Sequence, residues 1–368
     1  MSAYPGNYGT SPNASVFTGD IGSATRLATS AQFQRYLTDE VFFRSAFVQS
    51  GVLGLDARLK GVGGVKAEIP FFKPLNFTEE SVNSSATWGT GGAGAYQTQK
   101  TTAGTQYGVW TTRGAAFAAD DLSQVQVGED ALGNIRSQLA ADIATKQTTK
   151  LLSCLTGIFG TALAGNAVDV SEATAGSETD ANYLNVSNVT KAKFKLGERA
   201  TSVNTIAMHS LVAARLQEIG MLTFSAPAGV LTGSTIAFGG GGVGVSSAEV
   251  GVFAGLAVII DDSLPIVGAS GENQQFVCYL FGTGAVKTGS QFGMEIETER
   301  NILSRQNIMT VTYNNCMHIP GVSWSSGVTD PTNAQLATAG NWGFVYDDLR
   351  TIPVVQLTVN SPYGTTVA

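Results

Sequence analysis

The spacing of hydrophobic positions changes from region to region along this chain, and each spacing predicts a different element. Residues 1 to about 30 carry Gly, Ser, Thr and Asn with little periodicity, the pattern of an extended N-terminal arm. From Gln32 to Val52, the residues Phe33, Tyr36, Val41, Phe42, Phe47 and Val48 predict a short helical piece with an aromatic face. Over residues 62–114 the period becomes two. Val65, Ala67 and Ile69 alternate with Lys66 and Glu68, and Tyr107, Val109 and Thr111 alternate toward Arg113. Between them, Glu79 to Gly104 is rich in Ser, Thr and Gly, so the two strands make a long hairpin with a polar tip. A two-stranded hairpin is marginally stable alone in water, and this one needs a surface to lie on.

A helical period takes over in residues 118–158. Leu132, Ile135, Leu139 and Ile143 recur three or four apart, and Leu151, Leu152 and Leu155 continue the face. Asp120 and Asp121 are positioned to cap its start, and Gly157 and Gly160 to end it. Helices are predicted at Val189 to Leu196, at Leu211 to Ile219 (closed by Gly220) and at Ala334 to Ala339. Strands are predicted at Thr205 to Met208, Leu256 to Ile260, Gln275 to Phe281, Met294 to Thr298, Ile308 to Tyr313 and Val354 to Val359. Residues 228–247 form a Gly-rich loop. There is no internal repeat and no sustained heptad, and the class is α+β.

Composition narrows the function. Only 13% of the 368 residues are charged, about half the usual share, and 44 are Gly. A surface this weakly charged fits a chain that spends its life against neighbours. The net charge is −7 and Lys and Arg form no cluster, which argues against tight phosphate contacts but leaves room for a wall around nucleic acid. Cys154, Cys278 and Cys316 are odd in number and form no C-x-x-C pair, so they read as buried reduced thiols. Met1 to Gly22 lacks the pattern of a signal peptide, and the longest apolar stretch, Val250 to Ile260, is too short to cross a bilayer; no membrane partner is expected.

Enzyme chemistry has little material. His209 and His318 are the only histidines. His209 stands beside Ser210, but no G-x-S-x-G elbow exists, and a structural role is the ordinary reading. Asp261 and Asp262 follow a buried strand, where a strand stop before Pro265 competes with a metal site lacking partner spacing. Phe238 to Val245 has the glycines of a phosphate loop without its Gly-Lys-Ser/Thr ending. Glu295, Glu297 and Glu299 share one face of a strand, a solvated or neighbour-facing one. These residues predict no catalytic, cofactor-binding or metal-binding site. Trp88 and Trp110 admit two placements, as exposed anchors for a partner or packed on the chain's own body.

Several short stretches over about Asn204 to Asn360 carry a resemblance. They are Ile206-Ala207-Met208-His209-Ser210 with Leu216, Gly255 through Asp262 with Leu264-Pro265, and Tyr279 to Gly282 with Gly284-Ala285. Glu297 to Arg300, His318 to Val322 with Trp324, Pro331-Thr332-Asn333, Leu336-Ala337 and Asn341-Trp342 follow in order. In these the chain resembles the major capsid proteins of tailed bacteriophages, the HK-97-like fold family. The resemblance implies an N-terminal arm (1–60), an extended two-stranded loop (61–115), a peripheral domain with a long spine helix (116–160 and 285–325) and an axial domain with a central sheet (161–284 and 326–368). It implies a non-enzymatic coat protein that assembles with itself into pentamers and hexamers of an icosahedral shell around double-stranded DNA. Such a shell is made in the host bacterial cytoplasm and ends in the virion. Scaffolding, portal and cement or decoration proteins are candidate partners. Pro70, Phe71 and Phe72 at the hairpin root, with Trp88 and Trp110, are the candidate inter-subunit contacts. Lys66, Lys73 and Lys100 have no marked Asn and Glu partners, so no covalent cross-linking is expected. An encapsulin-like compartment, a phage tail or adhesin protein, and a hydrolase using His209 and Ser210 are the competing readings.

Overall fold

The computed structural model describes residues 46–60, 63–73, 79, 100–120, 131–224 and 251–364. The predicted arm, most of the aromatic helix, the hairpin tip with Trp88, the cap at Asp121 and the Gly-rich loop at 228–247 lie outside the described residues. The chain runs through helix α1 (Ala46–Gln49), strand β1 (Leu53–Leu55), the hairpin strands β2 (Lys66–Phe72) and β3 (Ala103–Val109), strand β4 (Thr111–Asp120) and the long helix α2 (Ala131–Gly160). Then come β5 (Ala167–Asp169), α3 (Val186–Lys193), β6 (Val203–Met208), α4 (Ser210–Glu218), β7 (Thr223–Phe224), β8 (Gly251–Phe253), β9 (Leu256–Ile260), β10 (Ile266–Val267) and β11 (Gln275–Gly282). Next are β12 (Val286–Gly289), β13 (Glu295–Asn301), β14 (Gln306–His318) and β15 (Val322–Trp324). Helix α5 (Asn333–Leu336), β16 (Trp342–Phe344) and β17 (Val354–Val359) complete the chain.

A continuous apolar run, Phe276 to Phe281, makes β11 the centre of an eight-stranded sheet. Its order is β5-β17-β11-β6-β9-β8-β7, with β10 also on β11. The pairing is mixed: β11 is antiparallel to β6 and β17, and β6 is parallel to β9. Because side chains alternate along a strand, the run feeds two cores. Phe276, Cys278 and Leu280 join Val189 of α3 and Leu216 of α4 on one face. Val277, Tyr279 and Phe281 join Leu155, Ile158 and Phe159 of α2 on the other. Each fully buried Leu or Phe there contributes about 1.5–3 kcal/mol.

A five-stranded sheet has the order β1-β12-β14-β13, with β4 also on β14. The N-terminal half of α2 covers one of its faces, Leu139 and Ile143 meeting Ile296, Met309 and Val311. The long helix thus packs on both sheets. On β13 the alternation is visible: Ile296 is buried while Glu295, Glu297 and Glu299 are exposed along one face, as the spacing predicted.

Several expectations need correction. Asp120 is the last residue of β4 and not a helix cap, and the described part of α2 runs from Ala131. The Ala-rich stretch Arg113 to Ala119 has helical propensity, but its pairing with β14, Thr112 against Asn314 through Ala119 against Asn307, overrides it. Gly157 does not end α2. It lies inside the helix, where a Cβ would stand 2.1 Å from the Leu336 carbonyl oxygen and 2.6 Å from Trp342 Nε1. The glycine permits the close approach of α5, and the Trp342 indole donates to Leu336 O at 2.7 Å beside it. The strand predicted from Tyr107 past Thr111 is broken at Trp110, where the chain leaves the hairpin and enters the larger sheet.

Candidate functional site

The hairpin root is the first surface to consider. Strands β2 and β3 pair from Lys66 with Val109 to Phe72 with Ala103. Pro70 sits in β2 without cost to a ladder because a two-stranded ribbon is all edge. The inward residues Ala67 and Ile69 pack with Leu59, Trp110 and Cys316. Gly108 lets β3 come down onto the body, since a Cβ there would lie 2.9 Å from Cys316 Sγ. Polar contacts hold the root in place. Gln106 Oε1 accepts the Gly321 N–H at 2.7 Å, the Tyr107 N–H donates to Ser323 Oγ at 2.9 Å, and Lys66 Nζ donates to Ser326 O at 2.5 Å. Phe71 meets Tyr346 edge-on at 5.1 Å, and Lys73 Nζ lies 3.0 Å from Asp347 Oδ1.

The candidate contacts therefore separate. Phe72 is 79% exposed and Pro70 is exposed, on the outward face of the root. Phe71 is half-buried against its own chain. Trp110 is 3% exposed and takes the other placement left open for it, packed on the chain's own body, so its ring offers no face to a neighbour. Trp88 lies outside the described residues.

The histidine sites are structural in geometry. His209 is the N-cap of α4, its Nδ1 accepting the Leu211 N–H at 3.1 Å, which puts the proton of the neutral ring on Nε2. Asp262 Oδ1 accepts the Ser210 N–H at 3.1 Å. Hydrogen bonds from the Ser210 side chain and main chain hold the Asp262 carboxyl below the usual carboxylate range. Asp261 accepts the Ser263 N–H at 2.8 Å, closing the turn after β9. His318 is 2% exposed at the end of β14, and among the described residues neither of its ring nitrogens has a hydrogen-bond partner, nor does Trp110 Nε1. Burial disfavours the imidazolium and lowers the His318 pKa to about 4, with Arg58 adding to the effect. The three cysteines are buried and free, and burial pushes the Cys154 and Cys278 thiols up to about 12. Among the described residues no group of three or more His, Cys, Asp or Glu converges on one point.

A buried lysine went unnoticed in the sequence. Lys150 on α2 is 4% exposed and donates to Thr111 Oγ1 and Asn315 Oδ1, joining α2 to β4 and β14. The Thr111 hydroxyl donates to the Asn315 carbonyl at 2.8 Å. Burial lowers the Lys150 pKa to about 8. The signal for it is its place in the stripe of Leu139, Ile143 and Cys154 along α2. Also unremarked was the pair Ile302 and Leu303, 81% and 99% exposed in the turn between β13 and β14.

Among the described residues this geometry brings no set of reacting groups together. What it presents is a hairpin anchored at its root, with exposed apolar residues beside and beyond a sealed core. The family model for major capsid protein 13-like proteins matches residues 80–353. The chain is 26% identical over 338 residues to the major capsid protein of Bacillus phage SPP1, covering 88% of this chain and 94% of that protein. Its fold is shared by the capsid of Ralstonia phage GP4 (TM-score 0.57, 9% identity, 86% of this chain and 92% of that one). It is shared too by the capsid asymmetric unit of Cyanophage Pam1 (TM-score 0.52, 11% identity, 87% and 93%). These are HK-97-like folds, and neither the compartment nor the tail reading is favoured by them. The chain belongs to the major capsid protein 13-like family, and is a major capsid protein of the tailed-phage type, a subunit of the capsid shell.

Proposed function

We propose that this subunit forms the pentamers and hexamers of an icosahedral shell enclosing double-stranded DNA, and that its hairpin is the extended loop by which one subunit lies across the next. The observation that carries this is the split character of the hairpin root. Its inward face is fixed to residues 321–326 and 346–347 of its own chain, while Phe72 and Pro70 face outward with nothing of the described chain over them. A fixed root aims the ribbon, and the exposed aromatic is the kind of residue that anchors interface centres. Residues 1–60 serve as the arm, 61–115 as the extended loop, 116–160 with 285–325 as the peripheral domain, and 161–284 with 326–368 as the axial domain. This division is supported by the eight-stranded sheet, whose strands all fall in the two axial ranges. Strand β4 crosses from the loop range into the peripheral one.

The shell needs obligate contacts of roughly several thousand Å² per subunit. Assembly takes place in the host bacterial cytoplasm, with scaffolding, portal and cement proteins as further partners and without covalent cross-links. The net charge of −7 keeps the wall from gripping packed DNA. The chain acts through assembly and not catalysis. Deletion of residues 76–104 tests the loop: the body should fold, and electron microscopy should show no closed shells. Normal closed particles from the deleted chain would end the loop assignment.

A further inference from the structure

Two features of the five-stranded sheet remain unused, and they fit each other. One is the turn between β13 and β14. The ladder closes at Asn301 against Gln306, and beyond it stand Ile302 and Leu303, 81% and 99% exposed. The turn is held: Asn301 Oδ1 accepts the main-chain N–H of Leu303 at 3.1 Å and of Ser304 at 3.3 Å, and Arg305 takes a left-handed φ of 53° to return the chain. Single exposed aliphatic residues are ordinary. Two adjacent ones on a pre-ordered tip have the form of an anchor whose ordering cost is already met.

The other feature is a groove of about 300 Å³ between β4, β14 and α2. Phe117 and Tyr313 stand half-buried along it over a floor of buried Leu139, Ile143 and Val311; of its cations Arg113 is paired with Asp330 at 2.6 Å and Lys146 with Asp142 at 2.7 Å, which leaves the buried Lys150 as the excess positive charge. The face of β13 that leads to the turn exposes Glu295, Glu297 and Glu299, opposite in sign to the groove. The groove cannot receive its own tip. Val311 lies five residues along β14 from the end of the ladder, roughly 17 Å at the rise of a strand, and the turn projects away from it. A knob at one end of a rigid sheet and a matching groove at its middle make a head-to-tail pair between copies, the kind that closes into rings.

We infer that the Ile302–Leu303 tip of one copy seats in the α2–β4–β14 groove of a second copy, as an apolar contact between shell subunits. The inference rests on the reading of the chain as a shell subunit, and it adds which surfaces meet.

The test uses particles assembled from the full chain. Leu303→Cys is combined with Ala115→Cys at the groove edge; the natural cysteines are buried and do not compete. Mild oxidation should give a ladder of linked subunits on a non-reducing gel, and neither single variant should. A double variant that assembles yet stays monomeric on the gel overturns the pairing. In parallel, Ile302→Ser with Leu303→Ser removes the tip without touching a buried residue. Its thermal unfolding should match the unaltered chain while its particle yield falls at least about tenfold, the effect of about 1.4 kcal/mol per contact. Equal yield from the altered and unaltered chains overturns the contact alone. Absence of rings or shells from the unaltered chain overturns both this and the shell reading.

Discussion

Strands β11 and β13 are built from the same backbone geometry and have opposite fates. In β11 every residue after Gln275 is buried, because α3 and α4 cover one face and α2 the other. In β13 only Ile296 is buried, because α2 covers one face and nothing in the described chain covers the rest. The first sheet is finished within the subunit. The second ends in an open face and an apolar tip. A shell subunit needs both: a core that does not depend on neighbours, and surfaces that are incomplete without them.

The contrast can be broken most strongly at β11. Leu280→Ala should cost about 2–5 kcal/mol, because a wholly buried side chain leaves a cavity between two packed faces. Denaturant unfolding of the dissociated subunit would measure it.

His318, where β14 meets the hairpin root, should make stability depend on acid. Its folded pKa of about 4 lies below the ordinary 6.5, so the unfolded chain binds the proton first. The contribution is intact above about pH 6.5 and is lost as pH falls toward 4. The loss is on the order of 3 kcal/mol. His318→Leu should flatten the unfolding free energy across that window, and an unchanged slope would show that another group is responsible.

Lys150→Ala should cost about 1–3 kcal/mol, since Thr111 and Asn315 would lose a buried partner. Lys150→Met, which keeps the stem packed, should cost less in the same unfolding measurement. At the exposed end of the scale, Glu297→Ala on β13 should change stability by less than about 0.5 kcal/mol. A larger loss by thermal unfolding would mean that this face is not free in the isolated subunit.

Much of the fold was legible in the chain. Leu256–Ile260 and Val354–Val359 have the ends their apolar runs predict, and Gly220, at a φ of 68°, closes α4 as its lack of a Cβ allows. The hairpin was legible from its alternation, and the family from short stretches in fixed order. Of the candidate contacts, Pro70 and Phe72 have the exposure an anchor requires, whereas Trp110 does not. Its fate turned on Cys316, Leu59 and Ile69, distant in sequence and adjacent in space. Lys150 did not stand out for the same reason: a lysine on a helix looks solvated until β4 and β14 close over it.

By itself the sequence determined where the periods change, and with them the order of hairpin, long helix and α+β body, because side-chain spacing is a local property of the backbone. Tertiary structure alone decided that Arg113 to Ala119 would be a strand, that Gly157 would sit inside a helix, and that Trp110 would be hidden while Leu303 would not. Each of these depends on what a residue far along the chain brings to the same place. Hydrogen bonding across a sheet and close packing of helices are long-range terms strong enough to override local preference.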